Sequence, residues 1–534
     1  MTKHFTSLVA VSALALAIAA PAHARTDVSP YLEVGQVLTA DLRGSNDVVT
    51  YSTIAAGVDA SVSNARTEFQ VNYRYERRIG YGDNIGDSDI HTGLARGAYQ
   101  IIPKTLSIEA GAIATRARSD IRGAAPTILV GNVDNVTQVY SAYAGPTLTT
   151  NIGALDVGAA YRIGYTKAEA GNFVPAAGQP ALDRFNDSLN HLASVSVGME
   201  SGVLPFGWTV SGAYQRDDAS QLDQRFETKG VRGDVVVPVT PTLALVGGLG
   251  YEQIQASQRA PLLDTAGLPQ TDNRGRFITD PASPRLLSYD QDGIYWDAGV
   301  LWRPSRRTTL EARVGQRFGG LSYTGSFSYQ PSSSTAFQVS VYDDVETFGQ
   351  QFANGLAQLP TSFATSSNPL LPQFGGCTFG AGDGGAGGCL NNVLQAVNSS
   401  VFRSRGVTAL VSTRRGPWNA GIGAGYNRRT FAAPRLGTGF TVDGLSDESW
   451  FAQGQVGYQI DDRSNVSGAV YANYFDPGVA NASNVLSTGA TAAYQRTFGR
   501  RLSATAAIGL FTSKVEGFES DLTASALLGA RYQF

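Results

Sequence analysis

Two histidines stand beside acidic residues in this chain, in the combination that acid–base chemistry would require. His91 follows Asp87 and Asp89, and His191 follows Asp187. A histidine held by a carboxylate could activate a nucleophilic serine in a hydrolase. The sequence has no nucleophile elbow, HExxH, CxxC pair, phosphate-binding glycine loop or EF-hand spacing that would complete such a centre. We therefore expect both histidines to lie at a polar rim, and we predict neither an enzyme nor a bound cofactor or metal.

The two cysteines, Cys377 and Cys389, enclose a glycine-rich stretch that is flexible enough to close on itself. In an oxidising compartment we expect them to form a disulfide, the alternative being two free thiols. In the chain-entropy model a loop this short gains on the order of 3 kcal/mol, which would fix the shape of the loop without deciding the whole fold.

The first 24 residues have the pattern of a secretory signal peptide. Lys3 and His4 precede an apolar run that extends from Leu8 to Ala20, and residues 22–24 form an A-x-A cleavage site. The alternative, a membrane-spanning helix, would need roughly 20 apolar residues. Every later apolar run is interrupted too early for a spanning helix, which excludes a helical membrane protein. We expect an exported chain that comprises residues 25–534.

Polar and apolar residues alternate along much of this exported chain. Apolar residues occupy the even positions from Leu502 to Leu510 and again from Leu522 to Phe534, opposite small or polar residues. In earlier runs the second face is charged, and charge cannot lie unpaired in a dry core. A polar lumen explains this face. The candidate lumen-lining residues are Glu68, Arg74, Glu76, Arg162, Glu311, Arg313, Arg317 and Arg531.

The length of the runs separates a membrane barrel from a soluble sandwich, in which strands also alternate. The runs span about 10 to 15 residues, as a tilted strand that crosses a bilayer requires, whereas strands of globular proteins cluster near five or six. Short turns, for example at residues 103–104 and 461–463, alternate with long polar loops. We predict an all-β, transmembrane, antiparallel up-and-down barrel with short periplasmic turns, long extracellular loops and both termini on the periplasmic side.

Counting the runs gives about 22 strands, with a range of 18 to 24 because some segments could merge or split. These ambiguous segments lie near residues 90–100, 224–238 and 399–413. Aromatic residues cluster toward the ends of the runs, as in the two girdles of a membrane barrel. Examples are Trp208, Trp296, Trp302, Trp418, Trp450, Tyr165, Tyr251 and Tyr474.

The stretch from Tyr31 to Gly35, the second long strand after it and the run from Phe69 to Tyr75 resemble the opening of Gram-negative outer-membrane β-barrel porins. This family includes members associated with exopolysaccharide and exosortase-type systems. Tyr532 and Phe534 resemble the terminal signal that the outer-membrane barrel assembly machinery recognises. The resemblance covers nearly the whole exported chain, and it implies a pore or exporter in the outer membrane, without assigning any further functional residue.

Residues 343–400 form the longest predicted extracellular loop. Apolar residues recur in it at steps of three and four, which predicts a helix that starts after Asp343 and Asp344. The stripe consists of Val345, Phe348, Phe352, Leu356 and Leu359. Two placements remain open: a plug or lid inside the lumen, or a helix packed on the rim.

The sequence favours a porin-like channel for passage or export of hydrophilic solutes, including oligo- or polysaccharide. The alternatives are a non-conducting barrel that docks surface polymer or a partner protein and, third, an outer-membrane hydrolase. The exported chain reaches its first strand within a few residues, so we expect no N-terminal plug domain and no energy-coupled uptake.

The partners expected from the sequence are outer-membrane lipid, lipopolysaccharide and the assembly machinery. Aspartate pairs such as Asp217 with Asp218 could share divalent ions with lipopolysaccharide, although solvated loop ends are the commoner reading. Charged residues make up only 16% of the chain and the net charge is −3, which excludes a basic nucleic-acid binder. The oligomeric state is not readable from the sequence.

Overall fold

The computed structural model describes residues 25–43, 47–81, 87–121, 135–169, 182–364, 370, 376–380, 385–434, 442–479 and 482–534. The strands before the helix are β1 Arg25–Arg43, β2 Val48–Ser63, β3 Thr67–Tyr81, β4 Ser88–Ile102, β5 Leu106–Arg118, β6 Val136–Ile152, β7 Leu155–Ala168, β8 Asp187–Met199, β9 Gly207–Ala219, β10 Gln224–Thr240, β11 Leu243–Gln258, β12 Leu286–Ser305, β13 Thr308–Arg317, β14 Gly320–Ser332 and β15 Thr335–Glu346.

Helix α1, Phe348–Gln358, follows β15. Three short strands then form a small separate sheet: β16 Phe363–Ala364, β17 Cys377–Gly380 and β18 Gly387–Cys389. The remaining strands are β19 Val401–Arg415, β20 Trp418–Ala432, β21 Ser446–Asp461, β22 Ser464–Asp476, β23 Val485–Phe498, β24 Leu502–Val515 and β25 Asp521–Gln533.

Strands β1–β15 and β19–β25 form one antiparallel sheet of 22 strands, in which every strand pairs with its neighbours in chain order. The sheet closes on itself because β1 pairs with both β2 and β25, where Tyr31 lies opposite Gln533. The predicted all-β, up-and-down barrel of 22 strands is therefore confirmed. The three ambiguous segments each form a single strand, namely β4, β10 and β19.

Strand β10 shows why these residues form a barrel wall. Val231, Val235 and Val237 are exposed on the outward face, whereas Arg232 and Asp234 between them point inward and are only partly exposed. Successive residues of a strand point to opposite faces, so apolar and charged residues must alternate when one face contacts lipid and the other a polar lumen. No helix in the described residues is long and apolar enough to cross a membrane.

The two ends of the barrel differ in the length of their connections. We call inner the end at which β1 starts and β25 ends, with turns such as residues 103–105 and 462–463, and outer the opposite end. Most outer connections are long, but β13 and β14 are joined at this end by residues 318–319 alone. Both glycine and phenylalanine in this tight turn have positive φ angles, 72° for Gly319 and 55° for Phe318.

The segment between β15 and β19 begins later than the sequence predicted. Asp343, Asp344 and Val345 lie in strand β15, which continues until Glu346 pairs with Phe402. The prediction that the helix starts directly after the two aspartates, with Val345 as its first apolar residue, was wrong, because ladder hydrogen bonds to β19 hold these residues in extended conformation. The helix begins at Phe348 instead.

Candidate functional site

We call residues 347–400 the lumen segment. Its described residues, 347–364, 370, 376–380 and 385–400, lie inside the barrel. Helix α1 packs against β5, β6, β7 and β8, which lie across the ring from β15. The approach is close: a Cβ atom added to Gly164 of β7 would lie 3.1 Å from Cβ of Ala353. Glycine in the wall is what allows the helix to pack there.

Both ends of helix α1 are satisfied by polar side chains. Thr347 accepts a hydrogen bond from the backbone amide of Gln350, whose side chain in turn accepts one from the amide of Thr347. At the other end, Arg96 of β4 donates to the carbonyl oxygens of Ala357 at 3.1 Å and Leu359 at 3.0 Å. A guanidinium at a helix C-terminus also interacts favourably with the helix dipole.

The lumen segment reaches deep toward the inner end. Gln70, three residues from the inner start of β3, donates to the carbonyl of Phe363 at 2.7 Å and accepts from its amide at 2.9 Å. Cys377 and Cys389 form a disulfide that lies against Gly423, near the inner start of β20. The segment therefore spans most of the barrel's depth.

The returning part of the segment is held by buried polar groups of β20. Arg429, which is fully buried, donates to the carbonyl of Ala396 at 2.8 Å and pairs with Asp447 of β21, also fully buried. Asn427 donates to the side chain of Gln395 at 2.8 Å. These contacts tie the segment to the wall on the side opposite α1.

Apolar side chains fill the space between these two anchors. The cluster combines residues of the lumen segment with residues of the barrel, including some near the outer ends of β19, β20 and β22, and each is at most 9% exposed. Its principal members are Phe348, Phe352, Leu356, Leu390, Val393, Phe402, Phe431 and Phe475. A continuous apolar core of this kind occupies the outer part of the lumen between α1 and these strands.

The wall formed by β10, β12 and β13 has a different character. Arg232 pairs with Asp234 at 2.8 Å and with Asp297 at 2.7 Å, and Arg313 pairs with the same two aspartates at 2.8 and 3.0 Å. Arg313 also pairs with Glu311 at 2.6 Å. We call these five residues the charged wall. Their ion pairs are internal to the barrel and involve none of the described residues of the lumen segment.

A cavity of about 490 Å³ lies over the charged wall. Tyr295 also lines it, and the guanidinium carbons of Arg232 and Arg317 lie 5.6 and 4.8 Å from the centre of its ring. Arg317 pairs with Glu252 at 2.7 Å. Nearer the outer end lies a second group of buried apolar side chains, the outer apolar cluster, which consists of Phe226, Ile254, Ala256, Phe318 and Val401, each at most 8% exposed.

The other predicted lumen residues lie in separate places. Arg74 pairs with Glu76 at 2.7 Å and with Glu33 at 2.8 Å. Arg162 faces the lumen segment, with a 3.5 Å hydrogen bond to Asn354. Glu68 is exposed near the inner end of β3.

The residues predicted at the C-terminal strand lie close to the barrel seam. Arg531 pairs with Asp59 and stacks over Tyr31, with 3.5 Å from its guanidinium carbon to the ring centre. Tyr532 and Phe534 are exposed and contact each other, with ring centres 5.3 Å apart. Recognition of these two by assembly machinery stays a prediction.

Sequence reasoning missed the residues that hold the lumen segment, namely Gln70, Arg96, Asn427, Arg429 and Asp447. It also missed Arg232, Asp234, Glu252 and Asp297. The alternation itself could have placed them on the inward face, since Arg232 and Asp234 stand between outward valines. The sequence contains no signal for their partners, which lie far away along the chain.

The histidines contact tyrosines on the outward face of the barrel. Nδ1 of His91 lies 2.7 Å from the hydroxyl oxygen of Tyr73, and Nδ1 of His191 lies 2.8 Å from the hydroxyl oxygen of Tyr161. Within the residues that the structure covers, no group of three or more His, Cys, Asp or Glu could hold a metal ion.

A closed barrel of 22 strands with an apolar outward face is the architecture of Gram-negative outer-membrane proteins. This chain is therefore an outer-membrane β-barrel protein, and its lumen contains a long segment of its own chain between two barrel strands.

No protein-family model and no curated protein sequence matches this chain. Solved structures similar to it include the FrpB iron transporter from Neisseria meningitidis, F5-1 variant, with 10% identity and a TM-score of 0.41 over 95% of this chain and 83% of that one. The siderophore receptor PiuA from Acinetobacter baumannii has 10% identity and a TM-score of 0.43, over 94% and 82%. The copper transporter OprC has 12% identity and a TM-score of 0.41, over 94% and 81%.

Proposed function

We propose that this protein is a porin-like conduit for hydrophilic solutes in the outer membrane and that the lumen segment is its gate. The observation that carries the proposal is the charged wall. Its five ionic side chains remain 17 to 37% exposed inside a barrel in which the surroundings of the lumen segment are packed with apolar side chains. A polar, hydrated lining along one wall serves a polar solute.

The way in which the lumen segment is held supports its role as a gate. Its described contacts with the wall are hydrogen bonds, such as those of Gln70 and Arg96, and apolar packing. A hydrogen bond contributes about 1 kcal/mol net, so such contacts can be exchanged for water one after another. The covalent link described in the segment, the disulfide between Cys377 and Cys389, lies within it and leaves it free to move relative to the wall.

A second candidate function is a non-conducting barrel that docks surface polymer or a partner protein. The observation in its favour is that two buried apolar clusters lie toward the outer end of the lumen, one around α1 and the outer apolar cluster around Phe226 and Val401. A barrel that is permanently closed would use its outer loops alone.

Conductance across a planar bilayer separates the two functions. Because Glu346 pairs directly with Phe402, residues 347–400 can be replaced by a short glycine–serine turn that joins β15 and β19 as an ordinary hairpin. We expect little steady conductance from the oxidised intact protein and a large steady conductance from this variant.

The matched control shortens another outer connection. Gln258 pairs with Leu286, so the same turn can replace residues 259–285 between β11 and β12. This control should leave the conductance of the intact protein unchanged. If neither variant conducts, although gel mobility shows that both barrels are folded, the conduit is contradicted and the docking barrel remains.

A further inference from the structure

The charged wall is nearly balanced in charge and is ordered before any ligand binds. Arg232 and Arg313 lie between Asp234, Asp297 and Glu311, and every one of these side chains has an oppositely charged partner within 3.0 Å. Two guanidiniums facing three carboxylates give no positive field to concentrate an anion. They offer a rigid array of alternating donors and acceptors.

Such an array matches neutral polyhydroxyl compounds. A sugar hydroxyl donates to a carboxylate and accepts from a guanidinium, so it can use both kinds of group without carrying charge. Tyr295 adds an aromatic side chain to the lining. The cavity of about 490 Å³ lies within the range of about 300 to 1,000 Å³ that is usual for small-molecule sites.

The cavity has unlike surroundings toward the two ends of the barrel. Toward the outer end lie the Arg317–Glu252 pair and the outer apolar cluster, whose Phe226 and Val401 are fully buried. Toward the inner end, Thr209 lines the cavity two residues from the inner start of β9 and is exposed. Access is therefore from the inner, periplasmic side.

From this arrangement we infer that the cavity over the charged wall is a binding site for a neutral oligosaccharide, which enters it from the periplasmic side. The inference rests on the proposed conduit and names its solute class. The site holds a short stretch of sugar chain against the wall while the outer mouth stays closed.

Calorimetric titration of the detergent-solubilised full chain tests the site without any transport. The probes are maltotriose, which is neutral, and trigalacturonate, which is an acidic trisaccharide. We expect maltotriose to bind and trigalacturonate to bind more weakly. Preferential binding of trigalacturonate, or no heat with maltotriose, overturns the inference.

A variant with a larger side chain in the cavity tests whether the sugar binds there. Thr324 lines it directly opposite Arg313 on β14, and Thr324→Trp places a ring in the cavity while the ion pairs stay intact. We expect at least about a tenfold loss of maltotriose affinity, which corresponds to about 1.4 kcal/mol. The matched control is Tyr323→Trp, one residue earlier on the outward face, which should bind as the original protein does. Equal affinity in both variants contradicts the assignment.

The side of access has its own test. A maleimide attached to a long polyethylene glycol chain should fail to label Thr209→Cys in intact cells and should label it once the periplasm is opened. Labelling from outside overturns the sidedness. Cys377 and Cys389 are paired, so the unsubstituted protein serves as the unlabelled control.

The binding experiment tests the oligosaccharide site and the conductance experiment tests the conduit, so either proposal can be contradicted without the other. If maltotriose binds but the variant without residues 347–400 stays silent, the site stands and the conduit falls. If that variant conducts but maltotriose does not bind, the conduit stands and the oligosaccharide site falls.

Discussion

The two halves of the lumen are stabilised by opposite means. On the side of the lumen segment, the wall and the segment share one apolar core, and buried polar groups such as Arg429 take partners from both. On the charged wall, the ionic side chains of β10, β12 and β13 satisfy one another. The first half depends on the segment, whereas the second is complete without it. If the lumen segment leaves the barrel, the charged wall keeps its ion pairs and remains a polar surface for the solute.

The largest expected effect is the difference in stability between two arginine substitutions, one beside the lumen segment and one in the charged wall. Arg429→Met leaves Asp447 buried without its partner and should cost about 3 to 5 kcal/mol of folding free energy. Arg313→Met should cost about 1 kcal/mol or less, because Arg232 still pairs with Asp234 and Asp297 in a hydrated lumen. Urea unfolding in lipid vesicles, followed by gel mobility, measures both. Equal losses would remove the contrast between the two halves.

The disulfide should affect the lumen segment and not the barrel. Replacing Cys377 and Cys389 together by serine should destabilise the ordered form of the segment by about 3 kcal/mol through loop entropy. Hydrogen exchange should rise in residues 376–400 and stay unchanged in β10 and β12. A fall in the unfolding midpoint of the whole barrel, equal to the local loss, would show that segment and barrel unfold as one unit.

The cap of helix α1 offers a smaller effect on the same side. Thr347→Ala removes the N-cap hydrogen bond and also the one that Thr347 donates to Asp217 at 2.6 Å, so we expect a loss of about 1 to 2 kcal/mol. Thr347→Ser keeps the hydroxyl and serves as the control. Protease cleavage within the segment should rise for the alanine variant only; equal cleavage of both would exclude a role for the cap.

The smallest effect is a local dependence on pH in the outer loops. Burial raises the pKa of Asp183 to about 7, and this carboxyl accepts hydrogen bonds from the side chain of Gln221 and the amide of Phe277. Since the folded pKa lies above the unfolded one, near 3.9, this contribution to loop stability is full below about pH 4. It declines as pH rises to about 7 and stays lost above it.

Hydrogen exchange at the Phe277 amide measures this change. Protection should fall between about pH 4 and 7 in the original protein after correction for intrinsic exchange, and Asp183→Asn should show a flat profile. A decline of the same size in the asparagine variant would assign the pH dependence to another group.

The sequence allowed much of the fold to be predicted, and the reason lies in local spacing. Val231, Arg232 and Val235 reveal which face of β10 points outward, and short turns such as residues 462–463 force neighbouring strands to pair. The site was predicted only in part. Arg313 and Glu311 were identified as inward residues, but nothing near them in sequence indicated that Asp234 and Asp297 would complete their ion pairs.

The sequence by itself determined the alternation of faces and the order of strand pairing and limited the number of strands to about 18 to 24, because each depends on residues that are neighbours in the chain or across one turn. Only the tertiary structure decided that the described residues of the lumen segment lie inside the barrel and which strands they contact. Gln70 and Phe363 are 293 residues apart in sequence, and Arg96 and Leu359 are 263 apart. Closure of the barrel brings such pairs together, and no local pattern records a contact that exists only once the ring has closed.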